Sequence, residues 1–534
     1  MEREPVAADI TKDGKYLLVA SHLPAGRADE ETVAAVVSVI ELFARKVVKE
    51  IQWPNGSGSL KDIRVSPDGK FAAVTHLVSS FSRATTKVQF GWMNANALTI
   101  IDVGRVEASL LNGPERKGDA DKNVRAPAFS VLLDEPTRGA GNPWGVAWSG
   151  DGNILAVAHA GTHEVSLINF PMLLAIGLAS TNGRSKQAKP VLTYISHYEG
   201  MDPGLPFLTG ARIRVKLPEG DLGPRALTCV GHKIYAANYY SDTLSVIDMD
   251  ALGSGELGGK GSRREPPSLR YGGSSALPYV ESIPLGPKSN VDAGRKTLKL
   301  AGAVPGAPAG PLSQMDVVRK GDFYFHDATL CLQGWQSCSS CHPGDARADG
   351  FNWDLLNDGI GNPKSTRSLL LAHRTPPAMF SGVRTNAEAA VRAGIKFILF
   401  TEQPEEVPAA IDKYLKSLRP VPGPHLVHGK FSQSAKRGEK IFHQAGCADC
   451  HVPGLFTDLH PHDVGTRRTF DNPTDKFYTP TLIEVWRTAP YLHDGSAATM
   501  RDVLTTRNPN GEHGDTRNLS MQEMDDLCEY VLSL

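Results

Sequence analysis

Cys338-Ser339-Ser340-Cys341-His342 and Cys447-Ala448-Asp449-Cys450-His451 are two copies of one pattern, and they decide how the second half of the chain is read. In each, two thiols three residues apart can form thioethers to the vinyl groups of a haem, and the next residue offers an imidazole to the iron from one face. A disulfide or zinc pair beside an incidental histidine would account for one copy. Two copies inside matching flanks point to two covalently bound c-type haems.

The flanks repeat as well. Arg319-Lys320-Gly321-Asp322-Phe323-Tyr324-Phe325-His326 precedes the first pentapeptide and Lys436-Arg437-Gly438-Glu439-Lys440-Ile441-Phe442-His443 the second. After each comes a Pro-punctuated stretch, Ser365-Thr366 to Pro376-Pro377 and Gly382 in one copy, Pro480-Thr481 to Ala489-Pro490 and Gly495 in the other. Each copy closes on an apolar stripe at helical spacing. In the first this is Val407, Ile411, Tyr414, Leu415 and Leu418, stopped by Pro420; in the second, Ser520 and Glu523 fit a capping box ahead of Met524, Leu527, Val531 and Leu532. These stripes read as core. Two small cytochrome c-like haem domains are expected, over 313–420 and 430–534.

Residues 1–300 carry a different repeat. Ile10-Thr11-Lys12-Asp13-Gly14-Lys15-Tyr16-Leu17-Leu18-Val19 is matched by Val65-Ser66-Pro67-Asp68-Gly69-Lys70-Phe71-Ala72-Ala73-Val74 and by Trp148-Ser149-Gly150-Asp151-Gly152-Asn153-Ile154-Leu155-Ala156-Val157. A fourth copy, around Gly231-His232, has lost its Asp-Gly. Asp-Gly between alternating apolar runs signals a β-hairpin, read here as a turn with positive φ at both central residues. Repeated short antiparallel sheets suit a β-propeller. The turns are spaced more widely than the roughly 40–45 residues of one blade, so insertions or further blades fill the gaps. A Gly/Ser/Pro-rich insertion is expected near 252–275 and a linker over 301–311. The fold class is therefore multidomain, an all-β propeller followed by a mainly α tandem of haem domains.

Composition excludes more than it identifies. The 534 residues carry 57 basic and 58 acidic side chains, a net charge of −1, which offers nothing to nucleic acid or an anionic membrane. No apolar run has the length of a membrane span. A signal peptide is absent at Met1 although haem thioethers are made outside the cytoplasm, so a periplasmic protein, in its mature form or as a fragment, is expected. Cys229, Cys331 and Cys528 lie outside the haem pairs, and buried thiols or a Cys331–Cys528 disulfide both remain open.

Thr479-Pro480-Thr481-Leu482-Ile483-Glu484-Val485-Trp486-Arg487-Thr488-Ala489-Pro490-Tyr491-Leu492-His493-Asp494-Gly495-Ser496, with both pentapeptides ahead of it, resembles the bacterial di-haem cytochrome c peroxidase and MauG family, and residues 1–300 resemble YVTN-type propellers. The first resemblance implies an oxidoreductase in which peroxide reacts at the haem of His342 while electrons enter through the haem of His451 from a small cytochrome c or cupredoxin. Oxidation of a partner protein in the manner of MauG, and a non-enzymatic electron-transfer and docking role, are the alternatives. Whether the propeller meets a partner or a second copy of the chain in a homodimer stays open.

Several family positions are changed. Phe380 stands where the family has a Trp between the haems, with Trp353 and Trp335 as substitutes. The distal Gln and Glu fall at Val391 and Thr401, leaving His373 and Glu402 as acid–base candidates. The methionine ligand of the second haem falls at Arg507. His513 is expected on that iron instead, ahead of Met500 and Met521, and an imidazole there lowers the potential relative to a thioether. His493 is placed near the propionates or between the haems. The resemblance also implies a Ca2+ site between the haem domains using Asn362, Thr488 and Pro490.

Overall fold

The computed structural model describes residues 3–51, 53–81, 93–111, 128–182, 205–208, 210–250, 280–285, 311–355 and 362–534. The expected insertion at 252–275 and all of the expected linker except Pro311 lie outside these residues.

Four four-stranded antiparallel sheets make up the first half. Their strands are Pro5–Ile10, Tyr16–Ser21, Val37–Glu41 and Lys46–Ile51; Ser57–Val65, Phe71–Ser79, Asn94–Asp102 and Ala128–Leu132; Pro143–Trp148, Ile154–His159, Glu164–Asn169 and Arg212–Lys216; and Pro224–Val230, Lys233–Asn238, Thr243–Asp248 and Val280–Pro284. Within each sheet the strands pair in sequence order, and the leading strands of successive sheets lie against one another. Alternation places Leu18, Val37, Ile63 and Val74 between the first and second sheets, Ile100, Val146 and Leu155 between the second and third, and Leu167, Val215 and Ile234 between the third and fourth. The arrangement is propeller-like. Among the described residues no strand pairing links the fourth sheet back to the first.

The repeated turns differ from the expected hairpin in one respect. Gly14, Gly69 and Gly152 have positive φ, but Asp13, Asp68 and Asp151 do not. Each aspartate acts through its side chain instead. The Asp68 carboxylate accepts from the Ser66 hydroxyl at 2.6 Å and the Lys70 amide at 3.1 Å, and Asp13 and Asp151 repeat the pattern with Thr11 and Lys15, and with Ser149 and Asn153. An Asx-type bond therefore holds the loop while only the glycine takes the left-handed conformation. Part of the wide turn spacing comes from helices inserted after third strands, Val103–Leu111 and Phe170–Asn182.

The second half is helical and duplicated. Val317–His326 crosses Glu406–Ser417, and Gln433–Gln444 crosses Met521–Leu532. Both crossings are made at a glycine: a Cβ on Gly321 would strike the Ala410 carbonyl, and one on Gly438 the Asp526 carbonyl. The expected closing helices are present, and Ser520 and Glu523 form the capping box. The post-haem stretches superimpose in backbone detail, with left-handed Leu371 and Glu484, cis Pro376-Pro377 and Ala489-Pro490, and left-handed Met379 and Leu492. Cys331 and Cys528 pack in separate cores as thiols, so the disulfide alternative is not adopted.

The two halves meet through polar side chains from the propeller-like half. Asn142 donates to the Ser337 hydroxyl at 2.8 Å and the His326 carbonyl at 2.9 Å, and accepts from the Ser340 hydroxyl at 3.0 Å. Asn96, held by buried Asp134, donates to the Trp335 carbonyl at 2.9 Å. At a second contact, Arg347, Glu484, Arg487 and Glu4 form a chain of ion pairs joining both helical copies to the residue just before the first strand.

Candidate haem sites

The second site is the more completely built. Cys447 and Cys450 bracket one helical turn, and the next residue, His451, donates from Nδ1 to the Phe456 carbonyl at 3.0 Å. That bond leaves Nε2 as the nitrogen available to a metal. All three residues line a cavity of about 370 Å³ whose other walls include Leu482, Val485, Leu504 and Leu527. His513 faces His451 across it. The ring centroids are 6.4 Å apart and the planes 31° from parallel. With metal–imidazole bonds of about 2 Å, two imidazoles sharing one metal place their ring centres roughly 6 Å apart. Burial, and then the proximity of His451, pushes His513 down to about 4, so it stands neutral. Its Nδ1 is buried with no protein partner. The thiol pair, the apolar walls and the facing imidazoles fit a c-type haem.

At the first site, Ser337 caps the helix Cys338–Cys341 in a capping box with Ser340. His342 follows, pushed down to about 4 by burial and therefore neutral. Asn94 donates to the Cys341 sulfur at 3.3 Å and to Gln336 at 3.0 Å. Phe351, Trp353, Phe81 and Met93 form an apolar cluster against which Cys341 packs. Bonded to the cluster is Asp349, a buried carboxyl raised to about 6 by desolvation, which accepts from Trp353 Nε1 at 2.8 Å. These residues also fit a haem attached through thioethers. Among the described residues no histidine ring is recorded facing His342 as His513 faces His451.

The remaining candidates are dispersed. His373 is turned onto the last helix of the first copy, its Nε2 donating to Asp412 at 2.9 Å. Glu402 is 86% exposed and pairs with Lys396. Neither shares a hydrogen bond with His342 among the described residues. Val391 packs on the first core, and Thr401 donates to the Leu330 carbonyl. Of the substitutes for the missing Trp, Trp335 is core, and Phe380 itself lines the second cavity. Arg507 stands 4.0 Å from Asp494.

His493 lines the second cavity, stacks on Phe477 and bonds Asp471 at 2.9 Å. Burial raises the Asp471 carboxyl, but hydrogen bonds from His493, the Arg468 amide and Lys364 outweigh it and hold the group ionised. The His493 carbonyl accepts from the Ser365 amide at 2.7 Å, tying the two copies together.

The residues expected at calcium serve other contacts. Asn362 donates to Asp471 at 3.2 Å, Thr488 donates to the Val485 carbonyl, and Thr488 and Pro490 line the second cavity. The same segment gives the carbonyls of Arg487 and Ala489 to the buried guanidinium of Arg3. A cation of the chain thus lies against the carbonyls that flank Thr488 and Pro490.

Sequence reasoning passed over Arg367. Its guanidinium lies deep, opens onto the second cavity, donates to the Met379 carbonyl at 3.1 Å and sits 5.1 Å from the Phe380 ring. Burial alone pushes it to about 10, and no carboxylate offsets this among the described residues. The duplication could have exposed it, since Arg367-Ser368-Leu369 stands where the second copy has Pro480-Thr481-Leu482.

The cytochrome c family matches residues 435–534. The gamma subunit of hydrazine synthase from Kuenenia stuttgartiensis is 30% identical over 276 residues, covering 41% of this chain and 78% of that protein. The methylamine utilization protein MauG of Methylophilus methylotrophus is 24% identical over 296 residues, covering 45% of this chain and 88% of that protein. The beta subunit of the same hydrazine synthase is 26% identical over 248 residues, 46% of this chain and 53% of the subunit, so about half of its length is spanned.

Proposed function

The chain belongs to the family of MauG, the hydrazine synthase gamma subunit and the di-haem cytochrome c peroxidases, and on that premise we propose a two-haem oxidoreductase that reduces peroxide beside His342 and receives electrons beside His451. Covalent haem c supplies, when bound, the redox couple at both sites and the open metal face at the first.

The observation that carries this reading is the 6.4 Å spacing of His451 and His513. Two neutral imidazoles at this spacing would hold a metal between them, which would suit electron exchange rather than substrate binding. His342 has no such partner ring among the described residues, so chemistry is assigned to the first site. Asp349, raised to about 6 and bonded to the cluster that holds Cys341, is assigned the handling of protons there. Arg367 would hold the carboxylates of a haem in the second cavity, because a buried cation without an acid is costly and porphyrin propionates would supply the charge.

Haem thioethers are made outside the cytoplasm, so a periplasmic location is assigned, with a small cytochrome c or cupredoxin as donor. Among the described residues no helix is long and apolar enough to cross a membrane.

The packing of Val391 and Thr401, which leaves neither as an acid or base, favours a second reading in which a partner protein is oxidised in place of the small donor. Steady-state consumption of peroxide with a reduced small cytochrome separates the two. Turnover supports the first reading. A protein that binds peroxide at one haem, consumes none with the cytochrome and oxidises side chains of an added protein supports the second. If carbon monoxide and peroxide bind neither haem in any redox state, both readings fail.

A further inference from the structure

Three successive leading strands direct Lys61, Trp144 and Arg225 into one place in the propeller-like half. Lys61 lies on Ser57–Val65, Trp144 on Pro143–Trp148 and Arg225 on Pro224–Val230. The Lys61 ammonium is 4.3 Å from the centre of the Trp144 ring, and the Arg225 guanidinium carbon is 4.3 Å from the same centre.

Two half-buried cations about one half-buried indole repel each other. The cation–π contacts offset only part of that, about 0.5–2 kcal/mol each. Lys61 makes no hydrogen bond or ion pair among the described residues. Burial, and then Arg225, pushes its amine down to about 7. The carboxylates that raise it are Asp345, which is exposed, and Glu4, which is engaged by Arg487 at 2.8 Å. Arg225 donates from Nη2 to the Tyr240 hydroxyl at 2.9 Å, while its Nε is buried with no hydrogen-bond partner among the described residues. A buried donor and two like charges with no carboxylate in ion-pair contact among the described residues form an incomplete arrangement, and an anion completes it.

The geometry points to a binding site for a small planar oxyanion, a carboxylate or a nitrogen oxyanion, held by Lys61 and Arg225 beside Trp144. The guanidinium fork suits two oxygens in one plane, and the ammonium supplies a point charge to the same group. The site adjoins the haem half, since Tyr240 donates to Asp322 at 3.1 Å on the helix Val317–His326. It does not depend on the haem reading.

The test uses the full chain with its haems. Acetate, nitrate and nitrite are titrated calorimetrically, with chloride as a spherical control. In parallel, Lys61 is labelled with trinitrobenzenesulfonate at pH 7 and quantified by mass spectrometry. One-to-one binding of acetate or of a nitrogen oxyanion is expected, and whichever binds distinguishes the two sources. The bound anion should slow Lys61 labelling at least tenfold, and Lys61→Met and Arg225→Met should each weaken binding at least tenfold. The proposal is overturned if no planar anion binds saturably, if labelling is unchanged by anion, or if both variants keep wild-type affinity at wild-type haem content. The labelling measurement stands even where a variant does not fold.

Discussion

The side-chain amide of Asn94, on the strand Asn94–Asp102 of the second sheet, donates to the sulfur of Cys341 at 3.3 Å. A residue of the propeller-like half thus touches the attachment chemistry of the first haem from far away in the sequence. A hydrogen bond to sulfur withdraws electron density and favours the reduced couple. Asn94→Leu should lower the potential of the first haem and leave the second unmoved. A neutral bond is worth about 1 kcal/mol, or roughly 40 mV for one electron. Spectroelectrochemistry reads both haems in one sample, and an equal shift in both would argue against the contact.

His513 should control the second haem in the same separable way. His513→Ala removes the only histidine ring recorded opposite His451 among the described residues. The low-spin bis-imidazole spectrum should disappear, and the variant should bind carbon monoxide at a haem that excludes it in the wild type. His513→Met should raise the potential of that haem. His373→Ala should leave its spectrum unchanged, because His373 is bonded to Asp412 instead.

Arg367→Met tests the buried cation. Removing positive charge beside a haem favours the oxidised form, so the potential of the second haem should fall. The haem content per chain, counted by mass, should persist because the attachment cysteines are untouched. Thermal stability of the haem-loaded protein should drop by about 3–5 kcal/mol if propionate and guanidinium form a buried pair. An unchanged melting temperature would place the propionates elsewhere.

These residues divide by how local their signals are. The pentapeptides, the hairpin repeats and the capping box at Ser520 are short-range patterns and are legible directly. His513 was reachable by elimination, since Arg507 cannot ligate iron. Asn94, Asn96, Asn142 and Arg3 carry no local signal: each acts on a partner brought near only when the two halves close. The turn aspartates misled for a different reason. Asp-Gly admits two geometries, and the preceding Ser or Thr hydroxyl, which joins the carboxylate, selects the one with a single left-handed residue. Glu402 was proposed from its neighbour in the sequence and points to solvent.

Asp349 predicts a pH dependence. Desolvation raises its folded value to about 6 from 3.8. Between those values the folded state binds more protons than the unfolded one, so this group's contribution to stability falls as pH rises from about 4 through 6. Asp349→Asn cannot titrate. The difference in unfolding free energy between variant and wild type should therefore move in the variant's favour across that window and level off above it. Denaturant titrations at pH 4.5 and 7.5 measure it, and a difference independent of pH would show that Asp349 does not titrate there. Peroxide turnover should lose its limb near pH 6 in the same variant.

The two helix crossings give a prediction that needs no haem chemistry. At Gly321 and Gly438 an added methyl group meets a backbone carbonyl of the crossing helix, Ala410 in one copy and Asp526 in the other, with the Cβ of Tyr414 or Tyr530 beside it. Backbone cannot yield as a side-chain tip does, so Gly321→Ala and Gly438→Ala should each cost about 1–3 kcal/mol or more. Gly394 sits within the helix Ala387–Phe397 with nothing near its missing Cβ. Gly394→Ala removes the entropy cost of glycine in a helix and should stabilise by about 0.5–1 kcal/mol. Opposite signs for the same substitution would identify close helix contact, and not helix propensity, as the reason for the paired glycines. If Gly321→Ala or Gly438→Ala proved neutral, the helices would have to lie farther apart than described, and the haem cavity framed by the second crossing would be correspondingly wider.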